Sequence, residues 1–122
     1  MRKIFLDCGG HCGCSRRYFR NNYDRKKEFE IFSFEPDPEL NQYCPHFINK
    51  AVWVENTVKD FHKFEMRGGS SLYKCRADLL QKQPIYSNIR TLIHVECFDL
   101  DEYIKTNENK GIVLVDKYII IC

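Results

Sequence analysis

The sequence predicts an α/β domain built on a mostly parallel sheet with flanking helices. Three observations predict it. Residues 3–8 (KIFLDC) form a short apolar run closed by glycines, the pattern of a buried strand. Residues 29–35 (FEIFSFE) and 50–54 (KAVWV) repeat that signal at strand length. Between these runs lie segments with helical starts. Strands that alternate with helices assemble into parallel sheets through right-handed crossovers.

Each element has its own justification. Residues 14–23 (CSRRYFRNNY) read as a helix, with Ser15 as a suitable N-cap and Tyr18, Phe19 and Tyr23 on one face. In the second strand apolar and polar residues alternate, and Pro36 restricts Glu35 to extended backbone. Asp37 then caps a short helix that starts at Pro38 and runs to about Tyr43. Residues 57–64 (TVKDFHKF) read as a strand extension or a hairpin arm, and GGSS at 68–71 as a loop. Residues 92–98 (LIHVECF) form a strand, with a helical turn or more in DLDEYI after it. The last apolar run of GIVLVDKYIIIC reads as a buried strand. No repeat or linker interrupts the chain, so residues 1–122 are read as one domain.

Composition narrows the function classes. The chain is 43% hydrophobic and 14% aromatic, enough to build a core. Phe29, Phe32, Phe34, Trp53, Phe61 and Phe64 are assigned to that core rather than to a platform for stacking bases. Net charge is +2 with both signs interspersed, unlike a nucleic-acid binder with basic charge on one face. RRYFR and the nearby RKK are read as a solvated helix face and turn. The N-terminal apolar run is too short for a signal peptide. No segment reaches the roughly 20 apolar residues that span a bilayer. The expected setting is therefore the reducing cytoplasm, with no nucleic-acid or membrane partner and with seven free cysteines.

The chemistry concentrates in D-C-G-G-H-C-G, Asp7 to Gly13, between the first strand and the first helix. Glycines there let the backbone approach a ligand without Cβ clashes. The helix that follows directs its free N–H groups at the same spot. The spacing is D-x-G-x-x-x-G rather than G-x-G-x-x-G, so the dinucleotide fingerprint is absent. Taken alone, such a loop is also a tight turn with no ligand. Glu35 adds a second feature. It ends the second strand 22 residues after Gly13. An acid at this place in a nucleotide-binding βαβ unit accepts hydrogen bonds from ribose hydroxyls. An ionised carboxylate is acceptor-only and takes both of them. Alone, Glu35 is equally an exposed acid before a proline turn. Together the two features describe half of a Rossmann-like unit that holds an adenosyl ligand.

In order along the chain, IFLDCGGHCGCSRRYF, FSFEPDPE, NKAVWVENTVKDFHKFE, GGSSLYK and VECFDLDEYI resemble the FkbM-type S-adenosylmethionine-dependent methyltransferases. That family's pattern runs aspartate, glycine, a small residue, a polar residue and glycine, followed by F-E-P-x-P. An alanine-aromatic strand, a small-Ser-Ser-Leu loop and a strand leading to L-D-E-Y/W come next. The resemblance covers nearly the whole chain. It implies a Rossmann-like class I methyltransferase fold, S-adenosylmethionine as cofactor, and O-methylation of a small-molecule or glycan hydroxyl. It also implies that Asp7, Gly9, Gly10 and Gly13 border the methionine part of the cofactor, that Glu35 holds the ribose, and that Ala51 and Val52 lie near the adenine. Cys8, His11, Phe34 and Pro36 complete the expected site. His11 stands where many family members have asparagine.

The sequence also departs from the pattern. Family members continue past the strand resembling YIIIC into a lysine and an Asp-x-Glu-Gly segment, then into further strands and the acceptor pocket. Here a cysteine takes the lysine's place and the sequence ends at Cys122. The expectation is a truncated domain. Its cofactor crevice lies between strands 1 and 4 of the order 3-2-1-4-5-6, and its activity needs more chain or a partner. No residue is assigned a catalytic role, and His62 and His94 are read as structural. The alternative is a non-catalytic Rossmann-like protein with a structural or interaction role, self-associating or pairing with a protein partner through its C-terminal edge strand. No metal is expected, because Cys8, His11, Cys12, Cys14, Cys44 and His46 lack the spacing of a structural zinc site.

Overall fold

The computed structural model describes residues 3–42, 44, 46–64, 70, 72–73, 89–108 and 112–115. Chain order is β1 (Lys3–Cys8), α1 (Cys14–Asn22), β2 (Phe29–Phe34), a 3-10 turn (Pro38–Gln42), β3 (Ala51–Trp53), β4 (Thr57–Phe64), β5 (Ile89–Asp99), α2 (Leu100–Glu108) and β6 (Ile112–Val115). The architecture is a small α/β fold with one parallel and one mixed sheet.

β1 is the central strand of the parallel sheet. β2 pairs with it from Lys3↔Phe29 to Cys8↔Phe34, and β6 from Lys3↔Ile112 to Leu6↔Val115. A strand paired on both edges and covered on its faces reads as a continuous apolar run, which is why KIFLDC does. Ile4 and Leu6 are fully buried. They form a core with Cys8, Phe34 of β2 and Phe98 of β5. Tyr103 of α2 sets its ring edge-on to Phe34 and Phe98, with centroids 5.5 Å from each.

α1 starts differently from expectation. Its N-cap is Gly13, in the left-handed region at φ 77°, and Ser15 lies inside the helix. The turn requires a backbone that glycine adopts freely, and this outweighs the capping preference of serine. The Gly13 carbonyl then accepts the Arg17 N–H at 3.1 Å, which opens the helical ladder. The expected aromatic face narrows to Phe19, which stacks on Phe5 with centroids 3.9 Å apart, while Tyr18 and Tyr23 stay exposed. Arginines take up the remaining seats. Arg16 donates to the Ile31 carbonyl, and Arg20 pairs with Asp24. Asp24 is buried and also accepts the N–H groups of Glu28 and Phe29, which fixes the turn into β2. Burial alone would push its carboxyl up, but these donors outweigh burial and hold it below the usual carboxylate range.

The second sheet has the order β3-β5-β4. β3 runs parallel to β5, from Ala51↔Cys97 to Trp53↔Asp99, and β4 runs antiparallel to it. The expectation of one mostly parallel sheet therefore holds for the first sheet and not for the second. The reason is connection length. Residues 54–56 alone join β3 to β4, far short of the dozen or so that a parallel crossover needs. β5 enters between the two strands. Asn56 secures it there by accepting the Asp99 N–H and donating to Glu102, each at 3.0 Å. Ala51, Phe61, Leu72, Val95 and Cys97 form the core of this half.

Besides the packing of Phe98 and Val52 on the core of the first sheet, two polar or backbone contacts tie the two halves together. A parallel bridge pairs Phe34 with Ile48. Lys63 of β4 reaches Asp37 at 3.0 Å and Glu39 at 3.1 Å. The strand beside β1 is Ile112–Val115, and the expected YIIIC strand lies outside the described residues, as does most of the GGSS loop.

Candidate cofactor site

The loop after β1 is laid across the carboxyl end of β2. The N–H groups of Gly9 and Gly10 both donate to the Phe34 carbonyl, at 2.9 and 3.0 Å, while the Phe34 ring stays in the core. Gly13 then closes the turn by donating to the Gly10 carbonyl at 2.7 Å. Gly9 at φ 95° and Gly13 at φ 77° occupy backbone that favours glycine. His11 is left-handed as well, at φ 41°, an uncommon state for a residue with a side chain.

Glu35 holds that state in place. Its Oε2 accepts the His11 N–H at 2.8 Å, and its Oε1 accepts the Asp37 N–H at 3.0 Å. The Glu35 backbone is fixed in turn, donating from N–H to the Ile48 carbonyl and accepting at its carbonyl from Asn49 Nδ2. Glu35 is therefore buried, contrary to the reading as an exposed acid. Burial pushes its carboxyl above the usual range, with the two N–H donors only partly offsetting that. Each carboxylate oxygen keeps a second lone pair for a further donor.

The other expected residues divide into groups. Asp7 is buried beneath the loop, opposite Ser33 in register, and accepts the Ser33 hydroxyl at 2.9 Å. Cys8 belongs to the core and Pro36 is buried. Gly10 has a structural reason of its own. A Cβ there would lie 2.8 Å from Phe47 Cε1 and 3.0 Å from Cζ. Ala51 lies in the core of the second sheet, and Val52 packs against that of the first. The structure thus brings Asp7, Cys8, Gly9, Gly10, His11, Gly13, Phe34, Glu35 and Pro36 together, while Ala51 and Val52 are taken up by the cores. His62 and His94 sit on β4 and β5, and His94 is paired with Asp60 at 2.9 Å.

Sequence reasoning missed Phe47, Ser33 and Asn49. The only signal for Phe47 is Gly10 itself, a glycine without positive φ, which needs a packing partner to explain it. One polar atom in the loop is left over. His11 Nε2 is buried and has no hydrogen-bond partner. Among the described residues, no helix is long and apolar enough to cross a membrane, and no three His, Cys, Asp or Glu side chains are arranged to hold a metal ion. Comparison with family models, with curated proteins and with solved structures returned no match.

Proposed function

We propose that the loop Asp7–Gly13 and Glu35 hold S-adenosylmethionine, and that the chain is a Rossmann-like methyltransferase of the FkbM type acting on a hydroxyl group. The observation that carries the reading is the 2.8 Å bond from the His11 N–H to Glu35. It joins the glycine loop of β1 to the acid of β2 at the carboxyl ends of two adjacent parallel strands. β1 also has β2 on one side and β6 on the other. In open α/β sheets, ligands bind in the crevice outside the carboxyl ends, where connections leave a strand in opposite directions.

The groups present fit an adenosyl ligand. Glu35 has acceptor capacity for ribose hydroxyls beyond its two backbone donors. His11 Nε2 is an unsatisfied polar atom in the same loop, which a polar group of the ligand would satisfy. When bound, the sulfonium supplies an electrophilic methyl group. The residues of this chain bind and orient. Glu35 fixes the loop and the ribose together, and the buried Asp7–Ser33 pair keeps β1 and β2 in register beneath them.

Titration calorimetry with S-adenosylhomocysteine tests the proposal. Binding is expected, and Glu35→Gln should weaken it about 10- to 100-fold, the worth of hydrogen bonds to a charged acceptor. A parallel thermal melt of the unliganded variant separates loss of ligand contacts from loss of the loop. No heat and no thermal shift at millimolar ligand would overturn the cofactor assignment. Binding without methyl transfer to any hydroxyl acceptor would favour the non-catalytic reading.

A further inference from the structure

We infer that Cys12 and Cys14 form an oxidisable dithiol on the rim of the glycine loop, a thiol–disulfide exchange site for low-molecular-weight disulfides of the glutathione class. The argument starts from Cys-Gly-Cys. Gly13 between them is left-handed, at φ 77°, so the two cysteines flank a tight turn at the start of α1. The Cys14 thiol and the His11 side chain are the neighbours that act on the Cys12 sulfur. Both cysteines are free thiols and both are exposed. Cys14 is the first residue of α1, where the helix end favours negative charge, and Arg17 Nη2 lies 4.0 Å from its sulfur. Disulfides form only between cysteines whose Cα atoms are close, and an i, i+2 pair across a tight turn meets that condition.

The two thiols are not equivalent. The Cys14 thiol and His11 lower the Cys12 thiol to about 7, while hydrogen bonding to Cys12 pushes Cys14 up. Cys12 is therefore the attacking sulfur and Cys14 the resolving one. Cys12 thiolate attacks one sulfur of glutathione disulfide. A Cys12–glutathione bond forms, the S–S bond of glutathione disulfide breaks, and one glutathione thiolate leaves. Cys14 then loses its proton and attacks the Cys12 sulfur. The Cys12–Cys14 bond forms and the second glutathione thiolate leaves. The dithiol is oxidised by two electrons, the added disulfide is reduced by two, and the released protons end on the two glutathione thiols. Cys8 and Cys97 are buried and stand outside this exchange.

The test is peptide mapping of the full reduced chain after exposure to glutathione disulfide. Trypsin releases residues 4–16, which carry Cys8, Cys12 and Cys14. The expected peptide has lost two hydrogens and keeps one alkylatable thiol, Cys8. Cys14→Ser should accumulate glutathione on Cys12, and Cys12→Ser should react far more slowly than the wild type. Phenylarsine oxide, which bridges paired thiols, gives a second reading on the unsubstituted protein: one equivalent should protect Cys12 and Cys14 together. In wild type, Cys12 alkylation should reach half its maximal rate near pH 7. Two free thiols at 12 and 14 after treatment, a lasting glutathione adduct in the wild type, a bond from Cys12 to Cys8 or Cys44, or arsenical binding to neither cysteine would each overturn the assignment.

Discussion

Gly10→Ala would place a methyl group 2.8 Å from Cε1 and 3.0 Å from Cζ of Phe47. The Phe47 ring is buried and has little room to retreat. Forcing one extra carbon into a packed site costs about 1–3 kcal/mol. Phe47→Leu removes both of the offending ring atoms and, as a volume loss, costs about 1–2 kcal/mol on its own. The two changes act on the same space, so they should not add. In the double variant most of the alanine cost should disappear, a coupling of about 1–3 kcal/mol. Urea unfolding of the four proteins measures it. A domain of this size has roughly 5–15 kcal/mol of stability in total, so each variant stays folded enough to titrate. Additivity to within about 0.5 kcal/mol would refute the packing explanation of Gly10. So would an alanine variant of unchanged stability that has lost S-adenosylhomocysteine binding, because the glycine would then serve the ligand rather than Phe47.

Two further outcomes follow from the charged groups. Burial raises the Glu35 carboxyl above its ordinary 4.5, so the unfolded chain releases this proton first as pH rises. The Glu35 contribution to stability therefore falls as pH climbs from that ordinary value to the raised one, and levels off above it. Wild type and Glu35→Gln, compared by urea midpoint as pH is raised past that ordinary value, should diverge; parallel curves would remove Glu35 as the cause. Lys63→Met would leave the buried Asp37 carboxylate without its cation, at a cost of about 3–5 kcal/mol. Glu39→Gln, at the exposed end of the same pair, should cost under about 1 kcal/mol, and equal losses in the two variants would contradict the division between buried and exposed partners.

The unit from β1 through α1 to β2 was legible because each of its signals is local. A glycine closes β1, alternation marks β2, and proline fixes the backbone after Glu35. The spacing of Gly13 and Glu35 correctly foretold that loop and acid lie together. It did not foretell that Glu35 grips the loop through the His11 N–H, because a hydrogen bond to backbone leaves no trace in residue type. Ser15 misled for a related reason, since capping preference is weaker than the demand of a left-handed turn at Gly13. Phe47 was invisible because its partner Gly10 is remote in sequence. The direction of β4 was open in TVKDFHKF, whose pattern is the same read either way. Only its partner β5 decides it, and that pairing is set by the three-residue link before it.

The placement of β6 has a consequence for how the chain comes into being. β1 is synthesised more than 100 residues ahead of Ile112–Val115, the neighbour on its second edge. At ~5–20 residues per second, that neighbour emerges about 5–20 s after β1. β2 and α1 contact β1 at short separation and can assemble during the interval, whereas the β1–β6 pairing must close a loop of more than 100 residues. The loop and Glu35 are thus complete on a strand whose other edge still shows a row of open N–H and C=O groups. In a nascent chain that edge is open to mispairing until β6 arrives to seal it.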